Sequence, residues 1–248
     1  MSHFSPILRK KLWRGQLAFW TAMLVVCLLP SLAWTQQAGF PSIYYPSTPG
    51  KKQWQVSVGL TQITPPKELT EEARVRAPAF DLHALYGLSP EFALDGRAIS
   101  QVIQNHFSVG GRWAHSMGNF SFGVGYDVAY WFGFLEVASF DSKAHGWFNY
   151  PSITVGYNLG DVRLIGKGEA WLDLYHKTSV GDNEVETDQN KLVGGSFTLA
   201  MEQAFWKNTQ LTLGFRATYT KFHWMTWQLF STLDKYLFYP EIIIGFIL

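Results

Sequence analysis

The stretch from Asn119 to Trp131, NFSFGVGYDVAYW, alternates large apolar residues with small or polar ones. Successive side chains of an extended chain point to opposite faces, so the large residues share one face and the small or polar residues share the other. An aromatic face of this kind suits contact with lipid, but a half-buried strand of a soluble sandwich shows the same period. The large residues are Phe120, Phe122, Val124, Tyr126, Val128 and Tyr130, and the small or polar ones are Ser121, Gly123, Gly125, Asp127 and Ala129.

The alternation recurs along the chain, which is strongly aromatic (17%) and low in charge (16%). The connections between these segments alternate between tight turns and long loops. One connection, near Ile103, is short where a long loop is expected. We predict strands near 54–63, 79–88, 91–103, 106–115, 119–131, 150–159, 162–175, 191–205, 209–222 and 236–248. The predicted long loops are 64–78, 132–149, 176–190 and 223–235.

The first 33 residues are unlike the rest. Four basic residues precede an apolar stretch from Leu17 to Leu29, and Ser31-Leu32-Ala33 follows it. This order predicts a secretory signal peptide over 1–33, with an uncleaved anchor helix as the alternative. Residues 34–53, rich in proline, are expected to form an irregular leader before a barrel domain over 54–248. After residue 33, no apolar run approaches the roughly 18 residues of a membrane helix, so any membrane span there uses strands.

Short turns at one end, long loops at the other, an even strand number and an aromatic outer face are typical of transmembrane β-barrels. Residues 54–248 resemble the small outer-membrane barrels of Gram-negative bacteria. The resemblance implies an all-β, antiparallel up-and-down transmembrane barrel of about ten strands, in the cell outer membrane, with periplasmic termini. The last strand also resembles the assembly signal of that class, with apolar residues at alternate positions up to Leu248. A soluble lipocalin-like or sandwich fold is the alternative.

With the aromatic face outward, charged residues gather on the inner face. Barrels of around eight strands are just filled by side chains, so this many charges in about ten strands predict an interlocked charge network and a mostly closed lumen. A narrow pore is the alternative interpretation of the same charges. The predicted network consists of Asp81, Asp95, Arg97, Arg112, Asp127, Arg163, Lys167, Glu169, Asp173, Glu202, Arg216 and Glu241.

Two predicted loops, 132–149 and 223–235, are unusually rich in aromatic residues. Some of these fit the interfacial belt of such barrels: Tyr130, Trp131, Trp147, Tyr150, Phe222, Tyr236 and Phe238. Others lie beyond it and predict packing over the barrel mouth or a surface for an apolar partner. The predicted loop binding surface comprises Phe134, Leu135, Phe140, Trp224, Trp227 and Leu229.

The leading hypothesis is a non-enzymatic membrane protein that binds or assembles through its aromatic extracellular loops. The runner-up is a narrow selective channel for small or partly apolar solutes. An enzyme at the outer rim comes third: His106 and Ser108 resemble part of the site of outer-membrane lipid A deacylases, and Asp81, His83 and Asp173 that of omptin-type proteases. We expect outer-membrane lipid as a partner, with an apolar ligand or protein at the loops. No cofactor, metal or nucleic acid is expected.

Overall fold

The computed structural model describes residues 41–69, 78–137, 140–181, 183–228 and 235–248, and within these ranges ten antiparallel strands form a closed barrel. Two short 3-10 turns lie outside the strands, at Lys67–Leu69 and Trp224–Thr226. The strands are β1 (Trp54–Ile63), β2 (Ala79–Gly87), β3 (Phe92–Ser100), β4 (Gln104–Met117), β5 (Phe120–Val137), β6 (Phe140–Asn158), β7 (Val162–Val180), β8 (Asn183–Trp206), β9 (Thr209–Thr220) and β10 (Leu237–Ile247).

Pairing of the first strand with the last closes the barrel. β1 runs antiparallel to β10, from Ser57 opposite Ile247 to Ile63 opposite Glu241. Each remaining pair joins strands that are neighbours in the sequence. Backbone N–H and C=O groups find no water in a bilayer core, and a ring without edges bonds them to one another. The predicted ten-stranded up-and-down barrel is confirmed.

The outer face of the wall is apolar. Phe122, Val124 and Leu213, which the sequence assigns to this face, are exposed. The inner face carries buried charged groups such as Asp81, Glu202 and Glu241, which is the reverse of a soluble sandwich. Exposed aromatic residues flank the apolar band on both sides, as in a transmembrane barrel. They are Trp54, Phe92, Phe120, Phe205 and Trp206 near the short turns, and Trp147, Tyr219, Tyr236 and Phe238 near the other end.

The protein is therefore an outer-membrane β-barrel, with the turns after β2, β4, β6 and β8 at its periplasmic end and the connections after β1, β3, β5, β7 and β9 at its extracellular end. No helix within the described ranges has the length and hydropathy needed to cross a membrane.

Four strands are much longer than the sequence predicts. β5, β6, β7 and β8 contain 18, 19, 19 and 24 residues, whereas a tilted strand crosses a bilayer with about 9–11. The long loops predicted at 132–149 and 176–190 are wrong: strands that pair as extended hairpins occupy most of both ranges. Strand pairing continues through the aromatic and acidic segments predicted to be loops. As a result, β5–β8 form a wall that projects beyond the extracellular aromatic belt.

The part of the leader that the structure describes, residues 41–53, contains no helix or strand. It enters the periplasmic end of the lumen, where Ser42, Ile43, Tyr44 and Tyr45 are buried. The predicted signal peptide and residues 34–40 lie outside the described residues, so the predicted cleavage near residue 34 stays a prediction.

The two faces of β5 give a test of this orientation. Val124 is exposed on the outer face, about midway between the two aromatic belts. Val124→Arg is expected to lower the free energy of unfolding by about 2–4 kcal/mol, because it places a charge in the hydrocarbon. Folding titrations in lipid vesicles measure the loss. Val124→Leu is the control and should change little, and equal stability of the two variants would contradict a lipid-facing position.

Candidate functional site

The lumen is lined by charged side chains that the sheet register brings together in pairs. Arg97 on β3 donates two hydrogen bonds to Asp81 on β2, with N···O distances of 2.9 and 2.6 Å. Arg112 on β4 donates to Asp95 on β3 at 2.6 Å. In both cases the partners are diagonal neighbours on adjacent strands. Because both side chains point into the lumen, this spacing brings the carboxylate next to the guanidinium.

Asp95 and Glu241 each accept from more than one group. Asp95 also lies 2.6 Å from His83 Nε2. Glu241, directly opposite Arg216 in the register, lies 3.3 Å from that guanidinium through both oxygens and accepts a hydrogen bond from Thr61. Charged groups shared in this way are held in position, since moving one leaves another unbonded.

Three more members of the predicted network are not paired across adjacent strands. Lys167 and Glu169 lie on one strand, β7, with Nζ 2.7 Å from the carboxylate. Asp127 on β5 makes no ion pair with the described residues; it lines the central cavity beside Arg112 and Lys167. Gly110 lies opposite Asp127, and a Cβ at Gly110 would overlap its carboxylate. The inward Asp127 side chain therefore occupies space that Gly110 leaves.

A cavity of about 50 Å³ remains in the middle of the network, enough for a few water molecules. Its polar lining includes Asp127, Lys167, Glu169 and Arg112, while Tyr44 comes from the leader and Trp224 from the β9–β10 connection. Segments outside the strands thus contribute to the cavity from both ends of the barrel.

An aromatic cluster fills the extracellular end of the lumen. The segment 222–227, which follows β9, turns inward, so that Trp224 and Trp227 are each only 3% exposed. Trp224 stacks on His106 with 4.7 Å between ring centroids, and Trp227 packs on Gly133, where a Cβ would overlap its indole ring. Buried around them are Trp131, Phe148, Tyr150, Trp171, Met225 and Tyr239.

His223 anchors this segment. Its Nδ1 accepts a hydrogen bond from the Met225 N–H at 3.2 Å. Burial, together with the positive charge of Arg216, holds the pKa of His223 well below its usual range. The ring is therefore neutral, as an accepting Nδ1 requires.

Asp173 reaches the same cluster because β7 contains a bulge. The register between β6 and β7 shifts at Trp147 and Phe148, so Asp173 and His176, three residues apart, both point inward and form a buried pair. His176 in turn stacks on Phe222 at 4.6 Å. Without the bulge, residues three apart would point to opposite faces of the strand.

The leader closes the periplasmic end. Glu202, fully buried on β8, accepts hydrogen bonds from the Ile43 and Tyr44 N–H groups at 3.0 and 2.7 Å and from the Ser42 hydroxyl. Arg163 lies directly opposite Glu202 in the register, with its guanidinium 4.8 Å from the Tyr45 ring centroid. These two members of the predicted network therefore hold the leader.

The predicted loop surface is divided between the inside and the outside of the barrel. Trp224 and Trp227 are inside the mouth and Leu135 packs against their cluster, whereas Phe134 is 45% exposed on the outer face. The Phe140 side chain and Leu229 lie outside the described residues. The interfacial-belt assignment is wrong for Trp131 and Tyr150, which are buried in the cluster, and for Phe222, which packs against it.

The catalytic constellations considered from the sequence are not assembled. His106 lies 3.2 Å from the Tyr150 hydroxyl and stacks on Trp224, and within the described ranges no hydrogen bond joins it to Ser108. Asp81, His83 and Asp173 are bonded to three different partners, Arg97, Asp95 and His176. Among the described residues, no group of three or more His, Cys, Asp or Glu could hold a metal ion.

Sequence reasoning missed that residues 42–46 belong to the lumen. The only signal was Tyr44-Tyr45 beside Pro46 in a segment otherwise typical of a linker. It also missed Trp131, Phe148, Tyr150, Trp171 and Tyr239 as interior residues, because the inner face was expected to be polar along its whole length.

No protein-family model matches the chain, and no curated protein is similar to it in sequence. Solved structures match at low similarity. Neisserial surface protein A is 14% identical with a TM-score of 0.40 (79% of this chain, 96% of that one). Outer membrane phospholipase A from Escherichia coli is 13% identical with a TM-score of 0.38 (78% and 92%). The outer membrane protease OmpT from Escherichia coli is 8% identical with a TM-score of 0.45 (78% and 93%). At such low identity and TM-score, these matches do not indicate a function for this protein.

The contact between Gly133 and Trp227 tests the packing of the mouth. Gly133→Val is expected to displace the indole and lower the free energy of unfolding by about 1–3 kcal/mol through overpacking. Gly168→Val is the matched control, since a Cβ at Gly168 meets open space. Folding titrations give the stability, and near-ultraviolet circular dichroism reports the aromatic packing. A Gly133→Val barrel with unchanged stability and spectrum would contradict an inward Trp227.

Proposed function

We propose that this protein is a non-conducting outer-membrane barrel that presents a binding surface on its extracellular side. The observation that carries the proposal is the filled lumen: an aromatic cluster at one end, residues 42–46 at the other and bonded charges between them. A permeant solute needs a continuous path, and each of these three layers occupies the cross-section that such a path would use.

The state of the charges supports the same conclusion. Arg97, Arg112 and Arg216 each bind a carboxylate. In a conducting pore, charged side chains face water and act on the passing ion. Here they face one another, and the remaining cavity of about 50 Å³ has space for a few water molecules only.

The outer surface near the projecting wall supplies a candidate binding surface. Rings from β4, β5 and β6 pack side by side: Phe107 on Phe132 at 6.3 Å, Tyr130 on Phe132 at 6.0 Å and Tyr130 on Trp147 at 4.8 Å between centroids. Phe134 follows on the same face of β5 and is 45% exposed. We name Phe107, Tyr130, Phe132, Phe134 and Trp147 the outer aromatic patch. Its continuation toward the projecting wall favours an apolar ligand or protein partner.

A narrow selective channel is the second candidate, because the central cavity is lined by charged groups of both signs. For conduction, residues 42–46 and residues 222–227 would both have to leave the lumen. An enzyme at the outer rim has less support, since its candidate acids and histidines contact other groups.

Conductance separates these functions. Purified protein in a planar bilayer is expected to show little or no steady current. Arg112→Ala should open a small leak and lower the free energy of unfolding by about 3 kcal/mol, because it removes bulk and leaves the buried Asp95 carboxylate without that partner. Bilayer recordings and folding titrations measure the two effects.

Lys143→Ala is the matched control. Lys143 lies 3.2 Å from Asp141 in an exposed pair, and loss of such a pair costs less than about 1 kcal/mol. Large, stable and ion-selective currents from the unmodified protein would reject the non-conducting barrel and favour the channel.

The outer aromatic patch can be tested where the protein normally resides. Replacing Phe134 by the photoreactive residue p-benzoylphenylalanine is expected to give a protein adduct when outer membranes are irradiated, because Phe134 is exposed beside the projecting wall. Gel electrophoresis and mass spectrometry detect the adduct. The same replacement at Phe122, within the lipid-facing band, should give no protein adduct. Adducts at neither position, or equally at both, would contradict a binding role of the patch.

A further inference from the structure

The barrel holds residues 42–46 mainly through hydrogen bonds to their backbone, which bends at residues 43–46. Glu202 accepts the N–H groups of Ile43 and Tyr44 at 3.0 and 2.7 Å. From the opposite direction, Arg112 donates to the Ile43 carbonyl at 2.6 Å and Ser121 to the Pro46 carbonyl at 2.7 Å. Hydrogen bonds to a charged group are the stronger kind, so Glu202 and Arg112 dominate this recognition.

The lumen also has a pocket for each large side chain of residues 42–46. Ile43 lies in an apolar cluster with Leu85, Ile165, Ala200, Ile243 and Ile247. Tyr45 lies against Gly156, where a Cβ would overlap its ring, and beneath the Arg163 guanidinium. Tyr44 packs edge-on to His83 at 5.6 Å between centroids. Backbone recognition combined with side-chain pockets is how peptide-binding sites work.

Residues 42–46 nevertheless belong to no strand, so they leave without breaking a ladder. Their link to β1 is short and contains Pro49 and Gly50, which keeps them near the lumen after release. Such a tether gives an effective concentration on the order of millimolar, so even weak intrinsic affinity keeps the site occupied.

We propose that the periplasmic half of the lumen is a binding site for a short, bent peptide segment bearing aromatic side chains, and that residues 42–46 are its tethered, releasable ligand. Tyr44 lines the central cavity together with Arg97 and His83. Release of the segment therefore opens this cavity to the periplasm while the extracellular aromatic cluster stays in place. The site goes beyond the binding surface proposed above and does not depend on it.

The test follows exposure of residue 46. Full-length protein carrying Cys27→Ser and Pro46→Cys is placed in lipid nanodiscs, and the rate of modification by a polyethylene-glycol maleimide is measured. Slow modification is expected, because Pro46 is buried against Gly123. Adding Glu202→Gln should raise the rate on the order of tenfold, since it weakens charge-assisted hydrogen bonds. Glu91→Gln is the control, as Glu91 is at the same end and contacts His115 and Trp113 instead.

Competition tests whether the site takes a separate peptide. The free peptide FPSIYYPST, which repeats residues 40–48, is expected to raise the modification rate several-fold at about millimolar concentration. A peptide with serine in place of both tyrosines should not. Gly156→Ala gives an independent variant if Glu202→Gln does not fold: it crowds Tyr45 and should also speed modification, whereas Gly168→Ala should not.

Three outcomes would overturn the proposal. The first is that the Pro46→Cys protein is modified as fast as a Lys51→Cys protein, whose thiol is exposed, which would mean that the segment does not occupy the lumen. The second is equal rates for the Glu202→Gln and Glu91→Gln proteins and for the two glycine variants. The third is no response to the free peptide. Conductance of the unmodified protein is measured separately, so failure here leaves the proposed function to its own tests.

Discussion

Polar groups in this protein must find their partners inside a ring that lipid surrounds. Pairing of β1 with β10 satisfies the backbone, and the same register decides which side chains meet: Arg216 faces Glu241 and Arg163 faces Glu202. A shift of one residue in any strand would turn its charged residues to the lipid and its aromatic residues to the lumen. Closure of the sheet and pairing of the charges are therefore consequences of one register.

The barrel interior is closed by segments that are not strands. Residues 42–46 enter from the periplasmic end and residues 222–227 from the extracellular end, and each brings rings that fit beside a glycine of the wall, Gly156 for Tyr45 and Gly133 for Trp227. The charged layer lies between them. Polar groups therefore stay out of reach of bulk water in the middle of the protein, where mutual pairing is their most favourable arrangement.

The structure also separates two roles of the aromatic residues. Those exposed on the outer face, such as Tyr219 and Phe238, form the belts that set the depth of the barrel in the membrane. Those buried at the mouth, such as Trp131 and Trp224, fill the extracellular end of the lumen, beyond the charged layer. Density of aromatic residues along the chain does not distinguish these roles, and the projecting β5–β8 wall places both kinds on the same strands.

The sequence by itself determined the number of strands, the inward and outward faces of their lipid-spanning parts and the charged character of the middle of the lumen. Residues such as Val124 and Asp127 report their face through a period of two, which is a local property of an extended chain. Only the tertiary structure decided the ends of β5–β8, the partner of each charge and the inward course of residues 42–46 and 222–227. These depend on the register between strands and on the space left inside the closed ring. The alternation of a single strand predicts neither the register nor the interior space, because both arise only when ten strands meet.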